Sequence, residues 1–206
     1  MEGFFMYTLK KEDLTVKTMT KIAILGVIAF VFMLLDFPLW FTPPFLKFDI
    51  SDLPSLIGAF ALGPMAGVLI QQVKNLLKLL LAGTNTAAVG ELANFIVGSV
   101  FAYTAGLIYY KEKTFRNAIK GLVVGDLAMT IAISFANYYV MIPFYSKAYG
   151  LPLEKIIAMS TAVNKYIVDL KSLIIFGVVP FNLLKGLVTS ILTVLLYKRI
   201  SPILKN

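Results

Sequence analysis

Apolar residues run through most of this chain in long stretches that carry no charge. Residues 53–73, 92–110 and 127–146 contain no Asp, Glu, Lys or Arg. Uncharged apolar runs of about 20 residues are typical of helices that cross a lipid bilayer. The pattern therefore predicts an all-α integral membrane protein.

The apolar runs divide into six predicted membrane helices, which form a single domain over residues 1–206. A continuous helix over residues 53–82 would be about 45 Å long, whereas the hydrocarbon core of a bilayer is about 30 Å thick. Gly63-Pro64 interrupts this stretch, so we divide it into a short helix and a longer one. The six predicted helices span residues 22–39, 53–62, 65–82, 90–110, 121–143 and 172–197.

Basic residues indicate the orientation of these helices, because Lys and Arg collect in cytoplasmic loops. Six crossings bring all three basic clusters to one side, so we predict that both termini are cytoplasmic. Residues 1–20 then form a cytoplasmic segment, residues 39–52 an outer lid loop, and residues 144–171 an outer connection with a short helix over 153–162. The clusters are Lys10, Lys11, Lys17 and Lys21; Lys111, Lys113, Arg116 and Lys120; and Lys198, Arg199 and Lys205.

Composition excludes several classes of function. Apolar residues make up 59% of the 206 residues and charged residues 15%, against about 45–50% and 25% in soluble domains. The net charge of +8 is explained by cytoplasmic loops, so we expect no nucleic-acid binding. Cys and His are absent, and the carboxylates are scattered along the chain. We therefore expect neither an enzyme, nor a metal site, nor a bound cofactor.

Two polar residues of the last predicted helix lie where a bilayer tolerates them poorly. Asn182 and Lys185 are three residues apart, hence on one helix face, and Lys185 lies far along the chain from the flanking Lys171 and Lys198. An amide and an ammonium on one interior face suit a ligand that bears carbonyl oxygens. The alternative is that Lys185 pairs with Glu91 or Asp126 to hold the helices together.

Further polar side chains fall near the outer ends of the helices. Glu91 and Asn94 share a helix face and would suit the hydroxyl groups of a sugar-like chain, although Glu91 is also a favourable charge at a helix N-terminus. Asn137 lies among aromatic residues and either binds a planar ring or forms a helix-to-helix hydrogen bond. Lys74 and its neighbours either snorkel to the surface or join the site, and Asp126 is expected to pair with a basic residue.

The segment of residues 37–50 is rich in prolines and aromatic residues. Prolines restrict its conformations, and its apolar side chains could close over a flat hydrophobic ligand. The alternative is an aromatic belt at the membrane interface.

These positions together resemble one family, the riboflavin-binding S components of energy-coupling factor (ECF) vitamin importers. The resemblance covers nearly all of residues 22–199. It rests on the loop 37–50 followed by Ser51-Asp52-Leu53-Pro54-Ser55-Leu56-Ile57-Gly58, on Gly63-Pro64-Met65-Ala66-Gly67-Val68, on Lys74-Asn75-Leu76-Leu77, on Gly90-Glu91-Leu92-Ala93-Asn94-Phe95, and on Pro180-Phe181-Asn182-Leu183-Leu184-Lys185-Gly186.

The resemblance implies a substrate-capture subunit in a prokaryotic plasma membrane, with a riboflavin site capped from outside by the first loop. Its implied partners are a transmembrane coupling subunit and two ATPase subunits, and the sequence itself has no Gly-rich ATP-binding loop. The implied ligand residues are Asn137, Asn182 and Lys185 at the edge of the isoalloxazine ring, Glu91 and Asn94 at the ribityl chain, and Leu46, Phe48 and Ile50 in the lid.

The resemblance also implies a docking face for the coupling subunit on the first helix. Small residues at Ala23, Gly26 and Ala29 supply it, although Val27 stands where such helices commonly carry a second alanine. The alternative function is a stand-alone secondary transporter of a small organic solute, which the lack of an evident inverted repeat disfavours.

Overall fold

Helices account for most of the chain, which was examined as a computed structural model. The structure describes residues 15–205 except 85, 149 and 151, so most of the predicted N-terminal segment lies outside the described residues. Two short strands, β1 (Phe37–Pro38) and β2 (Lys47–Phe48), lie between the first two helices. The helices are α1 (Val16–Met33), α2 (Leu53–Leu62), α3 (Pro64–Leu77), α4 (Val89–Lys111), α5 (Phe115–Ala136), α6 (Ile142–Ala148), α7 (Leu153–Thr161), α8 (Leu170–Leu173) and α9 (Val179–Lys205).

Three π-helical segments join or extend these helices. They are Lys78–Ala82 after α3, Asn137–Met141 between α5 and α6, and Ile174–Val178 between α8 and α9. Each segment continues the helix before it, so the predicted helices over 121–143 and 172–197 are longer than expected. α5 and α6 form one rod over Phe115–Lys147, and the last rod covers Leu170–Ile200.

The first predicted helix is displaced toward the N-terminus. α1 begins at Val16, where the Thr15 side chain accepts a hydrogen bond from the backbone N–H of Thr18 at 3.2 Å. It ends at Met33, not at residue 39 as predicted. Pro38 stands in β1, and proline disfavours helix at the residue before it. Residues 34–52, which we call the first loop, therefore form a longer connection than expected.

The break at Gly63-Pro64 is confirmed. Gly63 adopts a φ of 119°, a conformation that residues with a side chain rarely reach, and Pro64 then begins α3. α2 and α3 fold back on each other as a helical hairpin. Tyr197 and Tyr110 donate hydrogen bonds to the carbonyls of Phe60 and Ala61 at 3.3 and 3.4 Å, so the end of α2 is satisfied inside the protein.

Small residues bring α2, α3 and α4 close together. A Cβ added at Gly67 would lie 2.8 Å from the Cβ atoms of both Ala59 and Ala102. One at Gly106 would lie 3.1 Å from the Cβ of Ala59. Close backbone approach of this kind replaces the hydrophobic driving force that lipid cannot supply.

Within the described residues, five helical stretches are long and apolar enough to cross a membrane, and α2 is a shorter apolar helix beside them. Large apolar side chains remain exposed on the outer surfaces of the rods; Ile131 and Leu195, for example, are 58% and 65% exposed. Such surfaces suit contact with lipid. The start of α1 and the end of α9 lie at the same end of the bundle, because Lys21 Nζ donates to the carbonyl of Leu204 at 2.6 Å.

We predict that Gly67→Leu destabilises the fold, because a side chain at the crossing of α2, α3 and α4 must push two helices apart. Overpacking of this kind costs about 1–3 kcal/mol. Thermal unfolding in detergent measures it, with Ala23→Leu on the exposed face of α1 as the matched control. Equal melting temperatures for the two variants would contradict the close packing at Gly67.

Candidate ligand-binding site

The first loop is a folded structure. β1 and β2 pair antiparallel with Phe37 opposite Phe48, and the two rings lie 5.6 Å apart. An ion pair of 3.0 Å between Lys47 and Asp36 links the same two strands at the surface. The loop therefore holds its shape through local contacts.

The side chains of the first loop divide between two faces. Trp40 is 88% exposed, and Phe37 and Phe45 are also exposed, which agrees with an aromatic belt at an interface. Phe48 is buried, and Leu46 packs against the apolar core shared by α4, α5 and the Ile174–Val178 segment. The predicted lid and the alternative belt thus describe opposite faces of one loop.

After β2 the chain enters the protein interior with two carboxylates. Asp49 and Asp52 are 5% and 1% exposed. Asp49 Oδ1 accepts a hydrogen bond from the backbone N–H of Ser51 at 2.8 Å, which forms a tight turn before α2. Ser55 in the first turn of α2 donates to the carbonyl of Asp52 at 2.7 Å.

Lys74 and Gln71 of α3 bind the second of these carboxylates. Lys74 Nζ lies 3.0 Å from Asp52 Oδ1 and donates to Ser51 Oγ at 3.0 Å. Gln71 Nε2 donates to Asp52 Oδ1 at 2.8 Å and to Ser55 Oγ at 2.7 Å. Lys74 is fully buried, so it does not snorkel to the surface.

Lys185 completes this arrangement from α9. Its Nζ lies 3.0 Å from Asp49 Oδ2 and 3.3 Å from Asp52 Oδ2. The alternative considered above, in which Lys185 pairs with Glu91 or Asp126, is wrong, since its partners Asp49 and Asp52 are carboxylates of the first loop. We call the four residues Asp49, Asp52, Lys74 and Lys185 the charge cluster.

The charge cluster is electrically balanced, with two ammonium groups and two carboxylates. Isolated charges at membrane depth are costly, and pairing with hydrogen bonds offsets much of that cost. An ammonium has three N–H donors. Lys185 Nζ donates to Asp49 and lies 3.3 Å from Asp52, so these carboxylates use at most two of its three donors.

The predicted amides lie next to two of the π-helical segments. Asn182 is buried one turn before Lys185, and its Nδ2 donates to the carbonyl of Val178 at 2.8 Å. Asn137 begins the segment Asn137–Met141 and donates to the carbonyl of Ile133 at 3.0 Å. Both bonds stay within one helix, so the Asn137 bond is not the helix-to-helix contact considered above. Each amide keeps a second N–H donor for other partners.

Glu91 and Asn94 lie apart from the charge cluster, near the start of α4. Glu91 Oε2 accepts hydrogen bonds from the hydroxyls of Thr84 and Thr86 at 2.9 and 3.1 Å. Asn94 Nδ2 donates to the carbonyl of Gly90 at 3.3 Å. Glu91 lines a groove of about 550 Å³ with Asn75, Met141 and apolar side chains of α3 and α4. The groove is mostly apolar, and Glu91 and Asn75 are among its few polar lining residues.

Asp126 and two of the predicted docking residues lie in surroundings that differ from those predicted. Asp126 packs against Gly186 of α9, and its buried Oδ1 has no hydrogen-bond partner within the described part of the chain. Of the predicted docking residues, Ala23 is exposed, whereas Gly26 and Ala29 are buried. A Cβ at Gly26 would lie 2.5 Å from Val73 of α3. Gly26 and Ala29 therefore pack inside the bundle and do not form an outer docking surface.

Sequence reasoning missed Asp49, Asp52 and Gln71, and left the role of Lys74 open. A usable signal was the charge balance: two lysines at membrane depth require two carboxylates, and the nearest to the predicted lid are Asp49 and Asp52. Both carboxylates lie outside the predicted helices, so the comparison of helix faces does not reveal them.

The fold and the site define a class of protein: a membrane-embedded helical bundle with a buried polar cluster beneath a folded loop at one end. A model of the family described as ECF transporter, substrate-specific component, matches residues 17–197. The chain belongs to this family, whose members are transporter components and not enzymes. It is a multi-pass membrane protein of the cell membrane.

Similar proteins cover almost the whole chain. Riboflavin transporter RibU of Staphylococcus aureus is 39% identical over 92% of this chain and 93% of its own length. Riboflavin transporter FmnP of Bacillus subtilis is 33% identical over 91% of this chain and 93% of its own length. A solved structure of the S component of a bacterial ECF transporter superposes with a TM-score of 0.70 at 36% identity, covering 92% of this chain and 98% of that one.

We predict that Asp52→Asn strongly destabilises the protein, because it removes the carboxylate that both buried lysines share. Breaking a buried ion pair on one side costs about 3–5 kcal/mol. Asp36→Asn removes a carboxylate from the surface pair of the first loop and serves as the control. The free energy of unfolding in detergent measures both effects. Similar losses of this free energy in the two variants would contradict the charge cluster.

Proposed function

We propose that this protein is the riboflavin-capture subunit of an ATP-driven ECF vitamin importer. The observation that carries the proposal is the buried face of α9, where Asn182 and Lys185 lie one turn apart beneath the first loop. This face offers donors to a ligand with carbonyl oxygens. The two relatives named as riboflavin transporters support a flavin as that ligand.

Each part of riboflavin has a matching region in this proposal. Lys185, Asn182 and Asn137 donate to the polar edge of the isoalloxazine ring, where the ring carbonyls accept hydrogen bonds. Glu91 and Asn94 accept hydrogen bonds from the hydroxyls of the ribityl chain. Leu46, Phe48 and Ile50 of the first loop cover the apolar ring, which suits a pocket with apolar walls and few polar groups.

The proposed topology has six membrane segments with both termini in the cytoplasm. The five long helical stretches and α2 supply the segments. The contact between Lys21 and Leu204 supports termini on a common side. The exposed basic residues near residues 111–120 and 198–199 support a cytoplasmic location for that side, and the first loop then faces outward.

The proposed partners are a transmembrane coupling subunit and two ATPase subunits, as the family description implies. Ala23 on the exposed face of α1 remains a proposed contact for the coupling subunit. Membership in a family of substrate-specific components argues against a stand-alone secondary transporter.

Riboflavin titration of the purified protein tests the ligand assignment. We expect saturable binding by equilibrium dialysis and quenching of Trp40, the only tryptophan, because a flavin beneath the first loop lies close to it. Lys185→Met should weaken binding by about 10- to 150-fold, as expected for loss of a charge-assisted hydrogen bond of about 1.5–3 kcal/mol.

The control for this experiment is Asn182→Ala on the same face, which removes a neutral donor and should weaken binding less. Affinities are normalised to folded protein, determined from melting curves without riboflavin. No uptake of riboflavin by the wild-type protein would overturn the proposed function. Unchanged affinity in Lys185→Met would remove this residue from the site.

We further predict that the isolated protein neither hydrolyses ATP nor accumulates riboflavin in vesicles. Accumulation should appear only when a coupling subunit and ATPases are reconstituted with it, because the chain has no phosphate-binding loop. Uptake by the isolated protein driven by a proton or sodium gradient would instead support a secondary transporter.

A further inference from the structure

The ion pair between Asp49 and Lys185 joins the first loop to the last helix. The two residues are 136 positions apart in the chain, yet Asp49 Oδ2 and Lys185 Nζ are 3.0 Å apart and both side chains are 4% exposed. We propose that Asp49 is a positioning residue that fastens the first loop to α9 through Lys185, and thereby limits both the association and the dissociation rate of the ligand. This inference rests on the proposed function.

Asp49 and Asp52 are held in different ways. Asp52 is the last residue of the first loop, directly before α2, and is held in place by Lys74 and Gln71 of α3 as well as by Lys185. In the described contacts, Asp49 is bound only by Lys185 and by the backbone of Ser51 in its own loop. Lys185 is thus the side chain through which Asp49 holds the loop against the helices.

Moving the first loop outward would unbalance the charge cluster. If Asp49 left with the loop, Lys74, Lys185 and Asp52 would remain with one positive charge in excess. An excess charge in the membrane interior is expensive, because neither lipid nor apolar side chains can solvate it. The open loop is therefore disfavoured by the charge that it leaves behind.

The first loop contains a second ion pair, and breaking that pair leaves no unsolvated charge behind. Lys47 and Asp36 are also 3.0 Å apart, but their side chains are 53% and 30% exposed. Water solvates both groups when such a pair breaks, so exposed pairs contribute little. The difference in burial between the two ion pairs indicates that Asp49, and not Asp36, fastens the first loop. Asp36 therefore provides the matched control.

Ligand exchange follows from this arrangement. A ligand beneath the first loop reaches its site, and leaves it, only when the loop moves. Asp49→Asn keeps the size of the side chain and removes its charge. The charge cluster then has the same excess charge whether the loop is open or closed, so opening no longer carries that cost.

Stopped-flow measurement of riboflavin binding tests the inference, with Trp40 and flavin fluorescence as signals. We expect Asp49→Asn to raise the association and dissociation rate constants together, each by about 10-fold or more, the fold-change that corresponds to the lower end of the range for close charge pairs. The dissociation constant should change much less than either rate. Asp36→Asn should leave both rates within about twofold of the wild-type values.

A double variant shows whether Asp49 acts through Lys185. Asp49→Asn/Lys185→Met leaves a balanced pair of Asp52 and Lys74, which keeps the test usable if the single variant folds poorly. Its association rate should be no faster than that of Lys185→Met alone, because without Lys185 the loss of Asp49 no longer leaves an excess positive charge that disfavours the open loop.

Each remaining outcome decides the inference. A rise in the dissociation rate alone, with unchanged association, would show that Asp49 stabilises the bound ligand without fastening the loop. Unchanged rates in Asp49→Asn, or equal effects of Asp49→Asn and Asp36→Asn, would also overturn it. Absence of riboflavin binding in the wild-type protein would overturn the proposed function itself, which is a separate result.

Discussion

Pairing of charges inside an apolar medium is the interaction on which the rest of this structure depends. Asp49 and Asp52 come from the first loop and the start of α2, Lys74 from α3, and Lys185 from α9. Neither lysine could remain at membrane depth without these carboxylates. The cluster therefore determines how the loop enters the bundle, where α2 begins, and which face of α9 is directed inward.

Close packing of small residues between the helices places the charge cluster. Glycine and alanine at Gly67, Ala59 and Ala102 let three helices approach closely, and the break at Gly63-Pro64 returns α3 toward the loop end of the bundle. Tyrosine hydroxyls satisfy the carbonyls at the far end of α2. Rigid packing of this kind is what keeps a few polar side chains in register across separate helices.

The loop end of the bundle differs from the other end in its backbone. The π-helical segments Lys78–Ala82, Asn137–Met141 and Ile174–Val178 all lie toward the first loop. A π-helical turn widens the helix and alters the direction of the side chains around it, and such turns are common at functional sites. Asn137 begins one of these segments, and Asn182, in the first turn of α9, donates to the carbonyl of Val178 at the end of another. These positions connect the irregular backbone to the proposed ligand contacts.

The sequence by itself determined the membrane location, the helical class and the break at Gly63-Pro64. These features depend on local composition and spacing, which determine how a segment folds in a bilayer. It also singled out Asn182 and Lys185, since a polar residue within an apolar run is visible without a fold.

Only the tertiary structure decided which charges meet. The partners of Lys185 are more than 130 residues away in the chain, and they lie in a loop whose path follows from its pairing with itself and with α3 and α9. The burial of Gly26 and Ala29 against α3 could not be predicted from the sequence either. The local sequence pattern is the same whether a small residue faces lipid, a partner protein or a neighbouring helix. Contacts between distant segments depend on the arrangement of all the helices, which no local pattern contains.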